Sequence, residues 1–201
     1  MKIAVYGATG MVGSRIAAEA ISRGHEVTAL SRRGAGVEGA TAQAAELSDL
    51  ATLKDVASKN DVVVLSVPPA RDGSSHEPTI ELHTNIANSE LDARLFVVGG
   101  AGSLMAGDVR LVDTPGFPEE YKPEALTFSD VLEIYRAAPE GLDWTMQSPA
   151  PMIMPGERTG NVSIAQDTPA GDSISAEDFA VAALNEIEEP HFSRKRFTAA
   201  N

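Results

Sequence analysis

Cysteine is absent from all 201 residues, which excludes a disulfide framework, a thiolate nucleophile and any cysteine-ligated metal. Basic residues are scarce: 16 Lys and Arg against 29 Asp and Glu leave a formal net charge of −13. Such a chain is a poor general partner for nucleic acid or an anionic membrane surface. Also missing is any apolar run near the roughly 20 residues needed to cross a bilayer. Met1 leads directly into a strand pattern without the features of a signal peptide. These absences predict a cytoplasmic protein. The histidines His25, His76, His83 and His191 show no ligand spacing, so no metal is expected. At this length a single domain spanning residues 1–201, with a substantial core, is the natural expectation.

What is present is concentrated near the start. Gly7-Ala8-Thr9-Gly10-Met11-Val12-Gly13 follows the apolar run Ile3-Ala4-Val5-Tyr6 and opens the helical pattern Val12, Ile16, Ala17, Ala20, Ile21. A strand, a glycine turn and a helix in that order suit a diphosphate. Gly7 permits the tight turn, Gly10 allows the backbone to approach the phosphate oxygens, and Gly13 allows close helix–strand packing. The residues entering the helix, Thr9, Met11 and Val12 among them, offer unpaired N–H groups at its positive end. The spacing is G-x-x-G-x-x-G rather than the usual G-x-G-x-x-G, and a turn without a ligand is the plainer alternative.

The residues after the second strand pattern, Glu26–Leu30, select the cofactor. A site for NAD usually carries Asp or Glu here to accept from the ribose hydroxyls; this chain has Ser31-Arg32-Arg33. A guanidinium fork matches a phosphate dianion, which a carboxylate would repel. The expectation is NADP(H) in preference to NAD(H), with Arg32, nearer the strand end, as the main contact. Two solvated arginines opening a surface loop are the alternative.

Strand and helix patterns then alternate, predicting an α/β fold with a doubly wound, mostly parallel sheet and helices on both faces. A third strand is expected around Ala40–Ala45, then a helix capped by Ser48 with Leu50, Leu53, Val56 and Ala57 inward. Asp61–Val67 reads as a buried strand, Pro78–Ser89 as a helix and Ala93–Val98 as the fifth strand. The second half is less regular: a hairpin arm at Val109–Val112, helix over Pro123–Ala138, a strand near Leu142–Gln147 and a proline-rich loop. Ser175 with Asp178 makes a capping box for a helix over Ala176–Glu188, and Arg196–Thr198 suggests a last short strand.

Ligands of such sheets lie at the carboxyl ends of the strands. That rule places Glu46 and Leu47 beside the adenine and Val67 and Pro68 beside the nicotinamide ribose. Gly99, Gly100 and Ser103 fall beside the nicotinamide. Glu46 as an ordinary loop acid and Ser103 as a cap remain open.

The chain resembles the atypical branch of the short-chain dehydrogenase/reductase superfamily, in the group described as NAD(P)H-flavin reductases. It is more distantly similar to biliverdin reductase B and the NmrA-like proteins. The resemblance covers nearly the whole chain. It rests on the glycine motif, Val97-Val98-Gly99-Gly100-Ala101-Gly102-Ser103-Leu104 and Asp113-Thr114-Pro115-Gly116-Phe117. It continues in Leu142-Asp143-Trp144-Thr145, Ser148-Pro149-Ala150, Gly156-Glu157-Arg158-Thr159-Gly160 and Ile174-Ser175-Ala176-Glu177-Asp178. It implies a Rossmann-like sheet, a bound dinucleotide, Pro149 in a loop near the nicotinamide, and a small C-terminal substrate-binding portion from about residue 104 onward.

The wider superfamily uses Tyr-x-x-x-Lys to protonate a carbonyl oxygen. Here Tyr6, Tyr121 and Tyr135 are followed four residues on by Gly10, Ala125 and Pro139, so that pair is missing. A flavin or quinone tolerates its loss, because hydride uptake leaves a delocalised anion that solvent protonates, and proximity to the nicotinamide is the main requirement. The expected reaction is hydride transfer from NADPH to a planar small-molecule acceptor, with FMN or FAD as substrate rather than tightly bound cofactor. Ser103 is the candidate to contact the acceptor or carboxamide. Tyr121 and Trp144 are candidates for stacking and His76 for a proton relay, although Trp144 as core and His76 as a solvated loop residue are the plainer readings. Two alternatives stay open: a non-catalytic NADP(H)-binding redox sensor, and a reductase or isomerase of one metabolite. A monomer and a homodimer are both compatible with the sequence.

Overall fold

The computed structural model describes residues 1–201. In the first strand, β1 (Lys2–Tyr6), side chains alternate between the two faces of the sheet. Ile3 and Val5 enter one core, Ala4 and Tyr6 the other. Both cores are apolar, so the strand reads as an unbroken hydrophobic run, as a sheet covered on both faces requires. The elements that follow are α1 (Met11–Ser22), β2 (Glu26–Ser31), β3 (Thr41–Ala44), α2 (Leu50–Ala57), β4 (Val62–Leu65), α3 (Glu77–Ala87) and β5 (Arg94–Val98). A small hairpin of β6 (Met105–Ala106) and β7 (Val109–Arg110) leads through two 3-10 turns to α4 (Lys122–Arg136) and β8 (Trp144–Ser148). The chain ends with β9 (Met152–Met154), β10 (Ser163–Ala165), β11 (Ser173–Ser175), α5 (Ala176–Glu188) and β12 (Lys195–Ala200).

Eight strands form the main sheet in the order β3-β2-β1-β4-β5-β8-β12-β10. All neighbours are parallel except β10, which runs antiparallel to β12 at the edge. Helices α1 and α5 supply Ile16, Ala20, Phe179 and Leu184 to one core. Helices α2, α3 and α4 supply Leu53, Ile86, Val131 and Leu132 to the other. The strand order reverses at β1 and β4, and the crevice there is where doubly wound sheets bind ligands. No helix is long and apolar enough to cross a membrane.

Several boundaries differ from expectation for local reasons. The cap of α2 is Asp49, not Ser48: its carboxylate accepts from the amides of Ala51 and Thr52 at 3.1 Å each and from the Thr52 hydroxyl at 2.7 Å. β4 is shorter than Asp61–Val67, because Asp61 turns its carboxylate back to the Lys2 amide at 2.7 Å. Past its end, Ser66 N–H still bonds the Tyr6 carbonyl at 3.0 Å. The expected hairpin arm keeps only Val109–Arg110 in a strand before a 3-10 turn. The last strand is longer than Arg196–Thr198, since it fills an interior sheet position between β8 and β10. The proline-rich loop contains β9, which pairs with β11.

Candidate dinucleotide site

The glycine turn is required by space as well as by conformation. Gly7 has φ +76°, and a Cβ there would lie 2.1 Å from the Ser66 carbonyl oxygen, so β1 and the end of β4 approach too closely for a side chain. A Cβ at Gly13 would lie 2.2 Å from the Gly7 carbonyl oxygen, which brings α1 against the turn rather than merely against the sheet. Gly7 and Ala8 donate to the Leu30 carbonyl at 3.1 and 3.3 Å, and Gly10 to the Gly7 carbonyl at 2.9 Å. These bonds hold the turn on the β1–β2 edge, with Thr9, Gly10 and Met11 exposed.

The N-terminus of α1 is left open. Gly10 supplies no side-chain cap, and the first turn carries no acidic residue. Every other α-helix has a side-chain cap or an acid there: Asp49 for α2, Glu77 in α3, Glu124 in α4, and Ser175 with Glu177 and Asp178 for α5. Free amides, the positive helix end and a close backbone cradle together fit a diphosphate. Beyond β2, the Ser31 hydroxyl donates to the Ala35 carbonyl at 2.8 Å and holds the loop. Arg32 and Arg33 are exposed and make no ion pair or side-chain hydrogen bond.

At the neighbouring strand ends the expected residues divide. Val67 and Pro68 lie past β4 after Ser66, Gly99 and Gly100 follow β5 and Pro149 follows β8, and parallel pairing brings those ends to one edge of the sheet. Gly99 and Gly100 serve packing: Cβ atoms there would lie 2.8 Å from Met146 and 3.0 Å from Phe128. Glu46 is exposed, but Leu47 is buried in the core with Leu53. Its side chain is therefore unavailable to an adenine, because it anchors the approach to α2.

The expected acceptor contacts need two corrections. Trp144 is 1% exposed and packs on Tyr135 at 5.6 Å between ring centroids. It is core on β8, and no ligand can stack on it. His76 is not a free relay: its half-buried ring is engaged on both sides. One ring nitrogen sits 2.7 Å from the Thr127 hydroxyl and the other 2.8 Å from the Ala70 carbonyl, so both are committed to clasping the loop after β4 onto α4. Arg71 strengthens that clasp through a two-pronged pair with Glu124 at 2.9 and 2.8 Å. Tyr121 stays exposed just ahead of α4. Tyr6 is no substitute acid: burial, aided by Asp49, pushes its pKa up to about 12.

Ser103 has a partner the sequence reading missed. Its hydroxyl oxygen accepts from Nη1 of Arg196 at 3.1 Å, and the same nitrogen lies 3.4 Å from the Ser148 hydroxyl. Nε and Nη2 of Arg196 bind one carboxylate oxygen of Asp167 at 3.0 and 2.6 Å. Burial lowers the Arg196 pKa while Asp167 opposes the shift. An arginine inside an apolar last strand was the one signal available. A second set of partners fastens Gly156–Gly160 near α1. Arg158 binds Glu19 with two 2.8 Å bonds, Glu177 accepts from the Gly156 amide at 2.8 Å, and Asp178 accepts from Thr159 and Gly160 at 2.5 and 2.8 Å.

This combination of doubly wound sheet, glycine turn and open helix end defines a nicotinamide-dinucleotide-binding protein. Residues 7–190 match the family model described as NAD(P)H-binding, and the chain belongs to that family. The uncharacterized protein YwnB of Bacillus subtilis is 36% identical over 100% of this chain and 99% of its own length. Among solved structures, a Burkholderia pseudomallei protein described as a "putative exported protein" is 41% identical, with a TM-score of 0.87 and 100% of both chains covered. The Streptococcus pneumoniae protein SP1627, a "putative NADH-flavin reductase", is 33% identical with a TM-score of 0.86, covering 100% of this chain and 99% of that one.

Proposed function

We propose that this protein is an NADPH-dependent reductase that delivers hydride to a flavin- or quinone-type acceptor. The observation that carries the cofactor preference is the pair Arg32 and Arg33, exposed and unpartnered just beyond β2 in a chain of net charge −13. A ribose phosphate is the anion such a pair suits, and no carboxylate of the Ser31–Arg33 segment opposes it. The likeness to SP1627 supports the acceptor class. So does the lack of a tyrosine–lysine acid, since hydride transfer to a conjugated ring depends mainly on holding donor and acceptor together. Free flavin serves as substrate in this reading.

The test is a fluorescence titration of wild type and Arg32→Ala with NADPH and NADH. NADPH should bind wild type more tightly, and the substitution should weaken NADPH by about tenfold or more while leaving NADH nearly unchanged. Equal affinities for both, unaltered by the substitution, would remove the NADPH preference. NADPH binding without oxidation in the presence of FMN or quinones would replace the reductase with a redox sensor.

A further inference from the structure

We infer that Arg196 is a positioning residue for the reductive step, making Ser103 a committed hydrogen-bond donor to an acceptor that becomes anionic when reduced. This rests on the reductase reading above. Arg196 stands on β12 opposite Met146 of β8, with its side chain 1% exposed. Its guanidinium reaches Ser103 in the loop after β5 and Ser148 at the end of β8, two neighbouring strand ends on the ligand edge of the sheet. A hydroxyl oxygen that accepts from a guanidinium must direct its own proton elsewhere. Neither serine hydroxyl donates to another protein group. Ser148 is fully buried, so the one O–H proton that remains for a ligand is that of half-buried Ser103, polarised by a buried cation.

The charges around this group reinforce the bias. The counter-ion, Asp167, is 44% exposed and shared with Arg136 at 3.0 Å, and Arg136 also pairs with Glu133 at 2.7 Å. Both acids are screened by solvent, whereas the guanidinium facing the serines is not. A hydride takes two electrons and one proton to the acceptor, the dinucleotide leaves oxidised, and the acceptor is left with one negative charge. Water supplies the proton that completes the product. Ser103 keeps its own proton throughout and donates only a hydrogen bond, which strengthens as the charge develops. The acceptor class this favours places an oxygen or ring nitrogen where that charge collects, as a quinone or flavin does.

The experiment compares two planar probes by calorimetry in the presence of NADP+: 4-hydroxycoumarin as its anion, and neutral coumarin. Wild type should prefer the anion by about tenfold. Arg196→Met should bring the ratio near one, Arg196→Lys should restore much of it, and Ser103→Ala should lower it several-fold. With NADPH and FMN, Arg196→Met should lower kcat with little change in KM, and lysine should recover part of the loss. Should Arg196→Met fail to fold, Ser103→Ala at its half-buried loop position carries the test alone. No anion preference in wild type, or an unchanged ratio in folded Arg196→Met or in Ser103→Ala, would overturn the inference. A wild type that fails to bind NADPH yet keeps an Arg196-dependent anion preference would overturn the reductase reading and leave the polarised serine standing.

Discussion

Helices α1 and α5 pack side by side on the same face of the sheet, and their N-termini are treated in opposite ways. At α5 the orphan amides are answered within the protein. The Ser175 hydroxyl accepts from the Asp178 amide at 3.0 Å, and Glu177 and Asp178 place carboxylates in the first turn. At α1 there is neither cap nor carboxylate, and the preceding turn is cleared of side chains by Gly7 and Gly10. Capping a helix typically contributes about 1 kcal/mol, and α1 forgoes it. A helix end left unanswered beside a tight glycine turn is what an anionic ligand needs, while the answered end of α5 anchors Thr159 and Gly160 of the neighbouring strap.

The comparison breaks most severely at Gly13. Gly13→Val would drive a side chain into the Gly7 carbonyl at 2.2 Å. It should cost about 3 kcal/mol or more in thermal melts and abolish NADPH binding, whereas an equal loss of stability elsewhere should leave binding intact. The next effect is at the closed end. Asp178, 0% exposed and hydrogen-bonded to Thr159, Gly160 and Asn201, should lose about 2 kcal/mol on conversion to Asn. Burial pushes its pKa up, but those hydrogen bonds outweigh burial and hold it below the usual value. Its contribution is therefore present above the unfolded carboxylate pKa and lost as pH falls through the lower folded one.

The gap between acid melts of wild type and Asp178→Asn should begin to close as pH falls below about 4 and go on closing towards the lower folded pKa. His83 acts earlier: burial lowers its pKa to about 4, so both proteins lose stability as pH falls from about 6.5 to 4. The smallest effect sharpens the contrast. Met11→Asp gives α1 the acid that α5 already has; stability should rise by a few tenths of a kcal/mol, while NADPH affinity should fall about tenfold by titration. Unchanged affinity would mean that the dinucleotide does not lie at this end.

The strand–turn–helix unit was legible because its geometry is local. Gly7, Gly10, Gly13, Arg32 and Arg33 lie within a 27-residue stretch, and strand–turn–helix order places them without knowledge of the rest. The capping box at Ser175 and the limits of α5 were legible for the same reason, since a cap speaks to an amide three residues away. The fate of the candidate acceptor contacts was not. Trp144 as an isolated aromatic could face a ligand or the core, and only the packing of α4 on β8 buried it. His76 in a polar loop looked free until the fold brought Thr127 to its ring, 51 residues away. Arg196 could not be matched to Ser103 by spacing, since 93 residues separate them.

The sequence by itself determined the alternation of strand and helix, the glycine turn and the arginines beyond β2, because periodicity, turn geometry and capping act over a few residues. The tertiary structure decided which of the candidate side chains serve the fold instead of standing free. Burial removes Trp144 and Leu47 from the surface, the clasp to Thr127 and Ala70 occupies His76, and the insertion of β12 beside β8 carries a guanidinium to Ser103. These contacts join residues far apart in the chain, and their energies depend on desolvation, which exists only once the chain has packed.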